Sequence, residues 1–375
     1  MSNLLNNVNI KGNPIAVISS DWHIALNAWK KHPEIKGDAA FSLSQIVDIC
    51  LSLNVPMLAA GDLFDIKNPD SYTVNTTAHH MQRLAKSNLP VYYVQGQHEM
   101  ACPPWFSLFS NCTHVHDKEF QIGKIKFYGY DYFLPKSEED SYQRFKPADV
   151  LVTHQVWSEL LPRHGQSFCC SYIKIAQELN YKAIISGDFH SHFKETAEGT
   201  KCVFVSPGSI CLQDMNEPPI KAVWIITDNL EFVSVPIKSR RIIQTAVLSE
   251  NDLNTVVAMA DTISNDELPD GIGVPILRVK FNTDIKNVFA AISSAYKGKA
   301  HLDFKPLVVE SDEFSIELPD SIPTASADEA FCESLNAYFP SKDRGINDII
   351  RIWKTNSLDD LRKEIDTISN EVKTS

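Results

Sequence analysis

Five times within its first half the chain repeats one arrangement, in which a short apolar run stops at a cluster of Asp, His or amide side chains. IAVISS ends in Asp21, Trp22 and His23; the run Met57–Ala60 ends in Gly61 and Asp62; VYYVQ ends in Gly96, Gln97 and His98; DVLVT ends in His154; AIIS ends in Gly187, Asp188, Phe189 and His190. Short apolar runs bounded by glycine and polar residues read as buried strands. Each therefore delivers its polar cluster at its C-terminal end, the edge where α/β sheets place their sites. The recurrence predicts one rim lined with candidate metal ligands.

The intervening segments supply the helices that such a layered fold needs. Phe41–Leu53 carries apolar residues at helical spacing until Asn54, Val55 and Pro56 break it, and Val74–Ser87 is helix-like until Asn88, Leu89 and Pro90. Strand, helix, strand, helix in this order is the signature of an α/β layered domain. Further on, Lys124–Tyr130 reads as a strand, Glu138–Lys146 as a helix and Tyr172–Leu179 as the helix leading to the strand at Ala183. From Lys201 the pattern turns to β, through CVFVSPGS, KAVWIITD and EFVSVPI, with Asp228 and Asn229 as a hairpin turn. This late meander is expected to close a second sheet against the first.

The chain changes character near residue 240. A helix with Ser249 as its N-cap, the strand VPILRVKF, a helix over Asp284–Tyr296 and the strand LDFKPLVVE suggest a small β-α-β domain. The expected boundaries are 1–240 for the main domain, 241–318 for the small one, 319–327 for a linker and 328–375 for a helical segment. In that last segment Phe331, Leu335, Leu361 and Ile365 lie among acidic residues, either as a solvated helix face or as a docking surface for a partner.

The net charge of -12 argues against nucleic-acid binding by bulk electrostatics alone, because phosphate neutralisation needs clustered Lys and Arg. Bound cations or a basic partner would have to supply the positive charge. The eight cysteines form no CxxC pair, which suits a reducing compartment and a cytoplasmic location. No signal-peptide core and no run near the roughly 18 apolar residues of a membrane span are present.

Singly, these clusters are ordinary: Asp-x-His is common in surface loops, and a lone His98 or His154 suits a satisfied core histidine. Together they match a chemistry. Divalent ions of hard or borderline character take carboxylate, imidazole and amide oxygen, and two ions about 3.5–4 Å apart need a bridging carboxylate. Asp62 is the expected bridge.

These segments resemble the calcineurin-like metallophosphoesterase superfamily and, within it, the SbcD-type DNA nuclease subunits of double-strand-break repair, including bacteriophage versions. The resemblance rests on DWH, GDLFD, GQHE, the THQ segment, GDFH and the SPGS segment, spans residues 15–240, and loosens beyond them. It implies a four-layer α-β-β-α sandwich with a small α+β capping domain for DNA recognition and C-terminal helices that bind a partner. It also implies two divalent ions, Mn²⁺ first and Mg²⁺ as the alternative. Asp21, His23, Asp62 and His190 would hold one ion, and Asp62, Gln97, His154 and Asp188 the other. His98 would orient the scissile phosphate or protonate the leaving oxygen.

The activity implied is hydrolysis of phosphodiester bonds at DNA ends, with an SbcC-like ATPase of the SMC family as partner, a homodimer as a further option, and no membrane. Two positions depart from the family pattern: the usual GNH is GQH, and the usual GHxH is GDFH, which places Asp188 where His is expected. A one-step shift of register would instead use His190 and His192. Ile24, Ile66 and Lys67 stand where the protein Ser/Thr phosphatases of the superfamily carry Gly, Arg and Gly, which speaks against that branch. A scaffold subunit with a decayed metal site and a small-molecule phosphodiesterase are the competing functions.

Overall fold

A computed structural model of the chain describes residues 3–6, 8–25, 32, 35–160, 170–214, 216–263 and 272–307. The linker and helices expected over 319–375 lie outside the described residues. Fifteen strands and six α-helices follow one another within these residues. The first sheet has the order β12-β11-β1-β2-β3-β4, where β1 is Pro14–Ser19, β2 Met57–Ala60, β3 Val91–Val94, β4 Cys112–His114, β11 Lys221–Thr227 and β12 Phe232–Ile237. The second has the order β5-β6-β7-β8-β10-β9, where β5 is Lys118–Ile122, β6 Ile125–Tyr130, β7 Val150–His154, β8 Ala183–Gly187, β9 Phe193–Thr196 and β10 Val203–Ser206.

Side-chain alternation along these strands builds the layers. On the outer face of the first sheet, Val17, Met57, Ala59, Val91 and Val223 pack against Leu43, Ile46, Cys50, Met81 and Leu84. The latter belong to helices α1, Asp38–Leu53, and α2, Ser71–Lys86. The inner face, with Ala16, Ile18, Leu58, Ala60 and Trp224, meets Phe127, Val150, Val152, Ile185 and Val205 of the second sheet. That sheet's outer face, through Leu151, Ile184 and Phe204, packs on Tyr172, Ile175 and Ala176 of α4, Tyr172–Leu179. A short α3, Glu138–Gln143, lies between β6 and β7 in the chain. The result is a helix–sheet–sheet–helix sandwich, and its central strands are buried on both faces, which is why they read as continuous apolar runs.

Two local departures have clear causes. Helix α2 starts three residues earlier than the apolar spacing indicates, because the Asp70 carboxylate caps it by accepting from the Thr73 amide. The helix expected over Asp284–Tyr296 begins only at Val288, since the Asn282 side chain captures the Asp284 amide in a turn. The late meander is also divided. β10 joins the second sheet beside β8, but the β11–β12 hairpin joins the first, with β11 antiparallel to β1. Hairpin chemistry fixes which neighbours pair, not which sheet receives them.

β13 (Ile242–Val247), β14 (Ile276–Phe281) and β15 (His301–Pro306) form a separate parallel sheet. Helices α5, Glu250–Met259, and α6, Val288–Ala295, cover it through Leu253, Val256, Val288 and Ile292. Ser249 caps α5, its hydroxyl accepting from the Asp252 amide. This small unit and the sandwich belong to one compact unit, Met1–Val308. Among the described residues no helix is long and apolar enough to cross a membrane.

Candidate metal centre

The C-terminal ends of β1, β2, β3, β7 and β8 open on one side of the sandwich, and their polar clusters meet there. Asp21, His23, Asp62 and Asp188 all take positive φ, at 49°, 42°, 51° and 91°. For a non-glycine residue this backbone is costly and collects at functional sites. The glycines beside them are required by closeness. A Cβ on Gly61 would run into the His154 ring, and one on Gly96 would collide with the Asp62 carboxylate.

Asp62 sits at the centre. One of its oxygens lies 3.3 Å from His154 Nε2, 3.7 Å from His23 Nε2 and 3.8 Å from His98 Nε2. The other accepts from the His98 backbone amide at 3.0 Å. On one side, Asp21 Oδ1 is 4.0 Å from His23 Nε2 and 3.7 Å from His190 Nε2. On the other, His154 Nε2 is 3.9 Å from Asp188 Oδ1, and the Gln97 side-chain amide donates to that same oxygen at 2.6 Å.

Among the described residues three groups could each surround a cation: Asp21, His23 and His190; Asp21, Asp62 and His154; and His23, Asp65 and His98. The imidazoles are aimed by their second nitrogens. His154 Nδ1 donates to the Ala60 carbonyl at 2.8 Å, which leaves Nε2 facing the cluster. His190 Nδ1 lies 2.6 Å from Glu217 Oε1, and His98 Nδ1 lies 2.9 Å from the Asp65 carbonyl.

Whether these residues suit divalent cations is tested by the buried nitrogens. Both ring nitrogens of His23 and Nε2 of His154 are buried without a hydrogen-bond partner. Orphaned buried nitrogens are costly. His154 Nε2 and His23 Nε2 face the Asp62 carboxylate at 3.3 and 3.7 Å, the arrangement that an ion between imidazole and carboxylate would complete, while His23 Nδ1 faces Asp65 at 3.3 Å. The donor set fits.

The electrostatics agree. Burial acts to raise the Asp62 carboxyl, but the His154 and His23 rings hold it well below the usual carboxylate range. Burial depresses His154 in turn, and Asp62 overrides it, lifting the ring to about 10. Asp188 is raised, by burial first and by the neighbouring Asp21 and Asp62. Burial and charge thus pull against one another in this cluster, as they do in functional sites and in structural ion pairs alike.

All the residues singled out from the sequence, Asp21, His23, Asp62, Gln97, His98, His154, Asp188 and His190, line this centre. His192 does not. Its Nδ1 lies 2.8 Å from the Pro207 carbonyl and its Nε2 2.8 Å from Ser234 Oγ, and its ring stacks on Trp224. With both nitrogens engaged, it props the SPGS turn.

Sequence reading missed Asp65, Glu99 and Glu217. Asp65 was visible as the second aspartate of GDLFD, and it lies 3.3 Å from His23 Nδ1. Glu99 is buried, accepts from the Gly96 amide at 2.9 Å and is raised to about 8, by burial first and then by Asp62. Glu217 lies in an irregular Pro-rich loop that carries no periodic signal. The base of the GQH loop is pinned by Asp131, which accepts from the Gln95 amide at 2.8 Å and contacts His114 at 2.9 Å.

No protein-family model matches the chain. It is similar to the DNA double-strand break repair protein Mre11 of Methanosarcina mazei, 25% identical over 194 residues, or 47% of this chain and 30% of that protein. It is also similar to the Mre11 of Haloferax volcanii, 24% identical over 190 residues, or 48% of this chain and 42% of that one. The chain thus spans less than half the length of these curated relatives. Among solved structures, TT1561 of Thermus thermophilus matches 60% of this chain and 99% of its own length, at 12% identity and a TM-score of 0.39.

Proposed function

We propose that this chain, a member of the calcineurin-like metallophosphoesterase superfamily, is the Mn²⁺-dependent nuclease subunit of a DNA double-strand-break repair complex. It would hydrolyse phosphodiester bonds at DNA ends in the cytoplasm, with an SbcC-like ATPase as partner and Mg²⁺ as a weaker substitute for Mn²⁺. The observation that carries this reading is the set of buried, unpartnered imidazole nitrogens grouped with carboxylates around Asp62. Similarity to the DNA double-strand break repair protein Mre11 supports the role in break repair.

In this reading Asp21, His23, Asp62 and His190 hold one ion, and Asp62, Gln97, His154 and Asp188 the other. When bound, the pair supplies Lewis-acid charge for the phosphoryl oxygens and an acidified water. The chain's own contribution is placement and proton handling. His98 stands at the half-open rim, with Nδ1 fixed on the Asp65 carbonyl. A carbonyl only accepts, so Nδ1 keeps its proton and Nε2 is the atom that gains or gives one. As imidazolium it can protonate the departing sugar oxygen. Asp62 orients His98 by accepting from its backbone amide. An acidic chain then leaves most of the DNA grip to the ATPase.

The test is cleavage of end-labelled duplex DNA with Mn²⁺, Mg²⁺ or chelator, with and without the ATPase, together with elemental analysis. Mn²⁺-dependent shortening and close to two ions per chain are expected. The absence of both cleavage and bound metal would end the proposal. One observation favours a second reading, a scaffold subunit with a decayed centre: Gln97 turns its amide nitrogen, not its oxygen, toward Asp188. Metal content separates the two.

A further inference from the structure

We infer that Glu217 is a positioning residue for His190: it fixes the proton on Nδ1 and so turns the Nε2 lone pair toward Asp21. The inference rests on the two-cation reading above and adds a residue to it. The Glu217 carboxylate, only 9% exposed, uses both oxygens. Oε1 takes His190 Nδ1 at 2.6 Å, while Oε2 accepts from Lys221 Nζ at 2.6 Å and from Ser209 Oγ at 2.8 Å. Lys221, 2% exposed at the start of β11, also donates to the Ser209 hydroxyl at 2.7 Å.

The loop is held from its other side as well, where Arg278 of β14 donates to Asn216 Oδ1 at 3.2 Å. A carboxylate so fixed has one place to put its remaining oxygen, and the imidazole meets it there. His190 Nε2 is thereby left 3.7 Å from Asp21 Oδ1.

A buried Lys–Glu pair can also serve structure alone, so the competing reading is a salt bridge that happens to touch a histidine. Removing the pair has a different effect in each case. A carboxylate behind a ligating imidazole sets its tautomer and raises its basicity, and its loss weakens metal binding about 10–100-fold. A merely structural pair would change stability and leave metal affinity alone.

Three proteins decide the matter: wild type, Glu217→Gln, and the double variant Glu217→Leu with Lys221→Met, which removes the pair without leaving a buried charge. Each is titrated with Mn²⁺ by calorimetry. The histidine ring nitrogens are followed by ¹⁵N NMR in the metal-free protein, at a pH where His190 is neutral. We expect a loss of about tenfold or more in the affinity of one ion for both variants, with folding retained by the double variant. We also expect a wild-type His190 proton on Nδ1 that loses this preference in the double variant. Equal Mn²⁺ affinity in folded variants, or a wild-type proton on Nε2, overturns the inference. Absence of Mn²⁺ binding to the wild type removes the two-cation reading instead, and the tautomer then decides the role of Glu217 by itself.

Discussion

The two sides of the centre are built differently. On the Asp21 side two ligand candidates are locked: Asp21 and His23 are buried, Ser20 Oγ donates to Asp21 at 2.5 Å, and the Asp188 amide donates to it at 3.1 Å, while His190, on the loop after β8, is 30% exposed and rests against Glu217. On the Gln97 side, Gln97 is exposed, Asp188 is half-buried, and each holds the other through one hydrogen bond. His154, buried and anchored on Ala60, is the only rigid group the second side does not share. Buried ligands inherit the rigidity of the packing around them, whereas exposed ones depend on their own hydrogen bonds. The departures from the family pattern both fall on the looser side.

The largest test of this contrast is Asp62→Asn. Asn tolerates the left-handed backbone at this position and still accepts from the His98 amide, so the protein should fold. Bound Mn²⁺ should nevertheless fall below one per chain, and cleavage should drop by about 10³-fold or more. Wild-type turnover would remove Asp62 from the centre. His98→Ala should cost about 10²–10⁴-fold in rate while leaving Mn²⁺ content unchanged. A parallel loss of metal would instead make His98 a ligand, in the group with His23 and Asp65.

The third test is pH. The metal must displace the proton that Asp62 holds on His154, whose ring is lifted to about 10. Apparent Mn²⁺ affinity should therefore rise steadily between about pH 6 and pH 8, with proton release detectable as a buffer-dependent binding heat. A flat profile would mean that His154 is not a ligand. Gln97→Ala should change only the weaker of two binding phases, by about threefold to tenfold. An effect on the tighter phase would erase the distinction between the sides.

The smallest effect concerns stability. Glu99 is raised from 4.5 to about 8 in the metal-free fold, so its contribution is fully present below pH 4.5 and is lost as pH rises through about 8. Glu99→Gln keeps an acceptor for the Gly96 amide and removes that loss. The variant should gain on the parent in Tm between pH 5 and pH 9, by about 2–4 °C for each ~1 kcal/mol.

Much of this centre was legible in the sequence because strand ends repeat: an apolar run followed by Asp or His is a local pattern, and five of them gave eight residues that meet in space. What stayed hidden is what local pattern does not encode. Nothing around Glu217 announces that its loop folds back onto His190, 27 residues earlier in the chain. Nothing in a hairpin signal assigns β11 and β12 to the first sheet instead of the second. His192, two residues after His190, has the right spacing for a ligand, and nothing local in the sequence shows that its ring meets Pro207, Ser234 and Trp224 instead.

That placement of β11 has a consequence for synthesis. β1, which launches Asp21 and His23, lies between β2 and β11, with Val17 paired to Ile225 across most of the unit. Pairings so remote in sequence close slowly, because the intervening loop entropy comes first. On a ribosome adding about 5–20 residues per second, the emerging N-terminal strand must wait many seconds for its neighbour. During that interval one edge of β1 stays open, an unpaired strand edge of the kind that invites aggregation.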